Sequence, residues 1–142
     1  SIIDGDDVRE KHHKHLGFSR EDIKENNRLI VEICKERRKN FDVIMVPIIS
    51  PLLVSRADAR KQLSPDFYEI YFSADLKCVS SIDVKGLYKK ARNKEINNLI
   101  GFNGVDYESP PKPDLTIDSG EETLLMSLKK LVDYILRQKN NT

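Results

Sequence analysis

The chain predicts an α/β fold with a parallel sheet flanked by helices, and three observations carry that prediction. Two nearly continuous apolar runs of strand length, Val43–Ile49 and Phe67–Phe72, read as strands buried on both faces. Helical patterns precede, separate and follow them, and strands alternating with helices are the pattern of a parallel sheet. Two cap spacings, Ser19 with Asp22 and Ser119 with Glu122, mark helix starts on either side.

In chain order, Ser1-Ile2-Ile3 reads as the end of a buried strand that delivers Asp4-Gly5-Asp6-Asp7 to the sheet's C-terminal edge. From Ser19 a helix is expected to about Lys39, with Ile23, Ile30, Ile33 and Cys34 facing inward. Val43–Ile49 follows as an inner strand whose pairing breaks near Pro47, which has no N–H to give the ladder. Ser50-Pro51 ends that strand, and Val54 to Leu63 reads as a helix with Arg56, Arg60 and Lys61 exposed. Phe67–Phe72 is the second inner strand, followed by helical stretches at Leu76–Ile82 and Lys85–Arg92. Asn93–Pro113 is rich in glycine and proline, and a loop of that length inside a compact domain is usually a lid or a binding loop. Leu115–Ile117 is a last short strand. The helix opened by Ser119 carries Leu124, Leu125, Leu128, Leu131, Val132 and Ile135 on its apolar face.

At 142 residues, 39% hydrophobic and 33% charged, the sequence is expected to form one domain, residues 1–142, around a real core. The 24 basic and 23 acidic residues leave a net charge of +1, which argues against nucleic acid or an anionic membrane as the main partner. Cys34 and Cys78 have no CxxC spacing, so a reduced, cytoplasmic protein with buried thiols is expected. The apolar run Val43–Ile49 is far too short to cross a bilayer, and no signal-peptide pattern opens the chain.

Function in a parallel α/β sheet sits at the C-terminal ends of the strands. If Lys85–Arg92 is helical, Lys85, Lys89 and Arg92 share one narrow arc with no carboxylate among them. A nucleotide polyphosphate would relieve their repulsion, and a solvated basic face is the plainer alternative. Asp4-Gly5-Asp6 beside such a clamp suggests Mg²⁺ and phosphoryl transfer, where by itself it reads as a turn. Phe18 after Gly17, and Phe102 between Gly101 and Asn103-Gly104, are placed to stack on a base or to lie on the surface. His12, His13 and His15 read as a solvated helix face rather than a zinc site, and no metal held by protein ligands alone is expected.

Together these residues resemble the adenylylsulfate kinase family, P-loop enzymes that phosphorylate the 3′-hydroxyl of adenylyl sulfate (APS) with ATP. The resemblance runs from Ile3 to about Arg137. Its most specific piece is Asp83-Val84-Lys85-Gly86-Leu87-Tyr88-Lys89-Lys90-Ala91-Arg92, which is similar to the family's lid motif. Asp4-Gly5-Asp6-Asp7-Val8-Arg9 resembles DGDNVR, Leu16-Gly17-Phe18-Ser19 resembles LGFS, and Glu25-Asn26 resembles the EN element. Ile49-Ser50-Pro51 matches ISP, and Phe102 to Asp106 with Tyr107-Glu108 and Pro110 echoes FTGID…YE.P.

The resemblance implies a three-layer P-loop NTPase-like fold with a lid region at about 83–113. It implies that Asp6 is the base or Mg²⁺-organising acid near the acceptor hydroxyl, with Asp4 supporting it. Arg9 and Asn26 would hold the phosphosulfate and ribose region of the substrate, Phe18 and Phe102 would sandwich its base, and Ile49 and Ser50 would line its site. Lys85, Lys89 and Arg92 would serve the lid and the nucleotide phosphates. Mg²⁺ with ATP is the implied cofactor, ATP and a nucleotide acceptor are the implied ligands, and a homodimer is the implied assembly.

The departures bear on the acceptor. Ile23, Leu29, Leu53 and Ile82 stand at family arginine positions, and Asn103 replaces a threonine. One charge-assisted contact is worth about 1.5–3 kcal/mol, so a related nucleotide-linked acceptor such as cytidine diphosphoramidate stands beside APS. No GxxxxGK[ST] occurs in the sequence. The expectation is therefore a fold lacking the first strand and the P-loop, truncated at its N-terminus and inactive alone. A non-catalytic form that binds nucleotide or a partner is the third reading.

Overall fold

The computed structural model describes residues 1–73, 83, 86–97, 99–101 and 104–140. The chain is α/β with parallel strand pairing, and it groups into two compact units. One comprises Ser1–Phe67 with Lys90–Ser109, the other Tyr68–Lys89 with Pro110–Thr142.

In the first unit the N-terminal segment runs parallel to residues 43–47. The Ser1 amino group donates to the Val43 carbonyl at 2.8 Å, Met45 N–H to Ser1 O at 2.8 Å and Ile3 N–H to Met45 O at 2.8 Å. Gly5 N–H reaches Pro47 O at a longer 3.3 Å. The expected inner strand Val43–Ile49 is corrected to a single parallel bridge, Ile2 with Met45. Pro47 offers no donor, and Ile49 beyond it is 60% exposed.

Helix α1, Gly5–Lys11, starts where this pairing ends. A Cβ on Gly5 would lie 2.6 Å from Ile48 Cγ2, so glycine is what lets the helix start pass over that segment. Helix α2, Arg20–Arg37, opens at the expected cap: Ser19 Oγ accepts from Asp22 N–H at 3.1 Å and donates to Asp22 Oδ2 at 2.7 Å. Its inner face carries Ile23, Ile30, Val31 and Cys34, and Ile3, Val8, Ile30 and Cys34 form a core flanked by Ile33, Ile44, Val46, Ile48 and Leu63. Burial pushes the Cys34 thiol pKa up, as suits an inert core cysteine. Helix α3, Leu53–Leu63, packs against α2.

In the second unit, strand β1, Ile70–Ser73, pairs in parallel with β2, Leu115–Asp118, in the register Ile70 with Leu115 through Ser73 with Asp118. The parallel pairing agrees with the sequence, but β1 begins later than Phe67. In the first unit, the Arg60 guanidinium sits 5.0 Å from the Phe67 ring centroid, which uses that aromatic as a packing surface. In the second, Glu69 N–H is taken by Asp114 Oδ2 at 2.7 Å.

Helix α4, Leu87–Arg92, is shorter than the helix read over Lys85–Arg92. Gly86 has φ +65°, a left-handed conformation outside any α-helix, and Lys85, the first cation of the expected arc, lies outside the described residues. Asp83 opens the turn instead, accepting from Gly86 N–H at 3.0 Å through its carbonyl and from Lys89 N–H at 3.0 Å through its carboxylate.

The closing helix α5, Leu124–Asn140, does not start at Ser119. Glu122 is committed elsewhere, accepting from Asp118 N–H at 3.0 Å and from Lys130 Nζ at 2.8 Å, and Thr123 Oγ1 takes the Met126 N–H at 3.3 Å. The start of the α5 apolar stripe is exposed, Leu124 to 87% and Leu125 to 75%, while Leu131 and Ile135 further along it are half-buried. Within this unit the helix meets β2, and Tyr134 stands edge-on to Tyr68 at 5.8 Å. The stretch expected to be helical at Leu76–Ile82, with Cys78, lies outside the described residues. Among the described residues, no helix is long and apolar enough to cross a membrane.

Candidate active site

Asp4 and Asp6 divide their work. Asp4 is the N-cap of α1: its Oδ1 accepts from Asp6 N–H at 2.9 Å and from Asp7 N–H at 3.2 Å. The cap satisfies two of the helix's otherwise orphaned donors and sets the direction in which the Asp6 side chain leaves the first turn. Asp6 is exposed there, while Asp7 is drawn along the helix toward Lys11 at 3.4 Å. The Asp4 side chain thus acts on the backbone of the turn that carries Asp6.

Arg9, one helical turn on, closes a second element. Its Nη1 donates to Leu16 O at 3.0 Å and to Gly17 O at 2.8 Å, and its guanidinium lies 4.5 Å from the Phe18 ring centroid. The sequence reading placed Arg9 on the substrate and Phe18 on its base. The structure brings the two together, with Arg9 holding the loop that presents Phe18, which is 47% exposed. A ring braced on one face by a cation keeps its orientation when the other face takes a base.

Two adjacent asparagines on the inner face of α2 reach different partners. Asn26 is 8% exposed and its Oδ1 lies 2.9 Å from His13 Nδ1. Asn27 is 7% exposed and its Nδ2 donates to Ser50 Oγ at 3.0 Å. The reading of all three histidines as a solvated face is corrected for His13, which is 5% exposed because the chain turns inward after His12 caps α1.

Ser50 sits at φ +40°, in the left-handed region that non-glycine residues rarely occupy. Its neighbours determine that conformation. Arg56, read from the sequence as exposed, is 8% exposed, because its Nη1 donates to Ser50 O at 2.6 Å and its Nη2 to the Glu108 carbonyl. The Arg56 guanidinium also faces the Tyr107 ring at 5.5 Å. Glu108 completes the clamp, accepting from Leu53 N–H at 2.6 Å and from Arg20 at 3.0 Å, while its own N–H reaches Pro51 O at 2.8 Å. The Tyr107-Glu108 segment is thereby fastened to Ser50-Pro51 at the start of α3.

The Leu53 N–H, and after it Arg20, hold the Glu108 carboxyl below the usual carboxylate range. A carboxyl depressed in the folded state contributes stability above its unfolded value of about 4.5, and that contribution is lost as the pH falls through the lower folded value. Glu108→Gln is accordingly expected to lower the Tm most near neutral pH, with the gap to wild type closing as the solution is acidified below that range. A gap that stays constant with pH would show that the carboxylate charge is not what holds the clamp.

Of the residues read as site residues, Asp4, Asp6, Arg9, Phe18, Asn26, Ile49, Ser50 and Arg92 lie in the first unit and Lys89 in the second. Lys85 and Phe102 lie outside the described residues. The sequence reading did not assign site positions to His13, Asn27, Arg56 and Glu108. Asn27 carried a signal: it falls between Ile23 and Ile30 on the inward stripe of α2, where a polar side chain must find a buried partner.

A sequence profile of the adenylylsulphate kinase family matches residues 1–118. The adenylyl-sulfate kinase of Clostridium acetobutylicum is 36% identical over 138 residues, which is 97% of this chain and 68% of that protein. That of Bacillus pumilus is 40% identical over 136 residues, 95% of this chain and 68% of the relative. The solved structure of the Mycobacterium tuberculosis APS kinase CysC in complex with AMPPNP and APS superposes with a TM-score of 0.88 at 32% identity. That superposition covers 96% of this chain and 79% of the other. This chain belongs to the adenylylsulfate kinase family.

Proposed function

We propose that this chain acts as an adenylylsulfate kinase, binding adenylyl sulfate as the acceptor whose 3′-hydroxyl receives the γ-phosphoryl group of ATP, to give 3′-phosphoadenylyl sulfate. The observation that carries this reading is the gathering of Asp6, Arg9, Phe18, Asn26 and Ser50 in one unit by α1, α2 and the turn before α3. Phe18, braced by Arg9, offers a face for the adenine, and Asn26 and Ser50 offer polar contacts for the ribose and phosphosulfate.

Asp6 is the base or the Mg²⁺-organising carboxylate near the acceptor hydroxyl. Its carboxylate suits a hard divalent cation, and Mg²⁺ carried in with ATP would supply charge neutralisation at the transferring phosphoryl group. Lys85, Lys89 and Arg92 serve the polyphosphate, Phe102 covers the base from the other side, and residues 83–113 act as the lid. Turnover also needs a phosphate cradle of the GxxxxGK[ST] kind for the ATP phosphates, in addition to the residues named here. The family setting supports a cytoplasmic homodimer as the working form.

A second reading keeps the site and changes the acceptor. Ile23, at a family arginine position, is 4% exposed and offers no charge to an anionic end group, which favours a less anionic acceptor such as cytidine diphosphoramidate. Calorimetric titration of the chain with adenylyl sulfate, and separately with cytidine diphosphoramidate, decides between them. Tighter binding of adenylyl sulfate supports the first reading and tighter binding of the cytidine compound the second. Binding of neither sinks both.

A further inference from the structure

We propose that His13 is a positioning residue for the acceptor nucleotide, acting through Asn26. The inference rests on the adenylyl sulfate reading above and adds to it the group that orients the amide. His13 Nδ1 and Asn26 Oδ1 are 2.9 Å apart, and both side chains are buried. With the Asn26 carbonyl oxygen facing the ring, which can only accept, the bond requires the Nδ1–H form of His13. The bond commits the acceptor end of the Asn26 amide to His13 and leaves its N–H donors as the end a ligand can use. Those donors suit an oxygen of the acceptor nucleotide. A reversed amide would turn lone pairs toward that oxygen and repel it.

The backbone of His13 is held as well. His13 N–H reaches Val8 O and Arg9 O, each at 3.2 Å, and Leu16 N–H donates to His13 O at 2.9 Å. Its ring also meets His12 edge-on at 6.5 Å. His13 therefore links the end of α1 to the loop that Arg9 fastens beneath Phe18, and through Asn26 both are registered against α2. An amide fixed before the ligand arrives spends less binding energy on ordering than a free one.

Two isosteric replacements separate orientation from packing. In His13→Asn the amide nitrogen stands one bond beyond Cγ, as imidazole Nδ1 does, and can donate to Asn26 Oδ1. His13→Leu fills the space without a donor. Calorimetry with adenylyl sulfate is expected to give His13→Asn an affinity close to wild type. For His13→Leu it is expected to give an affinity about tenfold weaker, the factor that about 1.4 kcal/mol represents. Nitrogen-15 NMR of wild-type His13 at a pH where the ring is neutral is expected to show the Nδ1–H tautomer, a signature that mere packing would not impose. The Nε2–H tautomer, or unchanged affinity in His13→Leu, overturns the inference, and the tautomer decides alone if His13→Leu does not fold. A wild-type chain that does not bind adenylyl sulfate at all overturns both the reading and the inference. Wild-type binding with an unchanged leucine variant overturns the inference alone.

Discussion

Arg56→Met is expected to loosen residues 104–109 from the start of α3 and to destabilise the first unit by about 2–4 kcal/mol, since each charge-assisted bond contributes about 1.5–3 kcal/mol and the two share one group. The guanidinium reaches the Ser50 and Glu108 carbonyls at once, and Tyr107 covers it. Methionine keeps much of the stem's packing but strands two carbonyls and removes the force that holds Ser50 at φ +40°. Hydrogen exchange should therefore speed up at Gly104 and at Tyr107 to Ser109, with the amides of β1 and β2 in the second unit as an internal reference. Arg56→Lys should recover only part of the loss, because an ammonium has no planar fork to span two carbonyls. Unchanged exchange in Arg56→Met would mean that the Glu108 carboxylate alone fastens this segment.

Ile3→Ala is expected to cost about 2–5 kcal/mol, the range for truncating a large buried aliphatic side chain. Ile3 is 1% exposed and packs with Val8, Ile30 and Cys34, so the cavity opens between α1 and α2. Its N–H also makes the 2.8 Å bond to Met45 O, one residue before the Asp4 cap. The loss should appear in the urea midpoint and also as weaker adenylyl sulfate binding, because Asp4 and Asp6 hang on the end of this pairing. Lost stability with unchanged affinity would show that the site tolerates a softer support than the core suggests.

Much of this was legible in the residues. The Ser19–Asp22 spacing started α2 where the structure starts it, and the inward stripe of Ile23, Ile30 and Cys34 is buried. The parallel sense of β1 and β2 followed from alternation of strands and helices, and Pro47 marked where pairing fades. The family resemblance in Asp4-Gly5-Asp6-Asp7-Val8-Arg9, Leu16-Gly17-Phe18-Ser19 and Ile49-Ser50-Pro51 is borne out by the family match. Where local signals misled, another partner or another backbone conformation had won. Glu122 turned to Asp118 N–H and Lys130 instead of closing a box with Ser119, and Gly86 took a left-handed turn that stops a helix from running through it.

The sequence by itself determined which helices could form, which face of α2 carried apolar side chains, and which motif residues had the chemistry for a nucleotide acceptor. Those properties depend on neighbours within a few positions, so spacing and side-chain type suffice to read them. Only the tertiary structure decided that Arg56 and His13 are interior, that Asn27 meets Ser50, and that Glu108 fastens Tyr107 to the turn before α3. Each of those contacts joins side chains or carbonyls from separate segments. A charged or polar residue reads as exposed in a sequence because burial costs it water. It goes inside only where distant groups replace the lost hydrogen bonds, and no local pattern specifies where those groups will be.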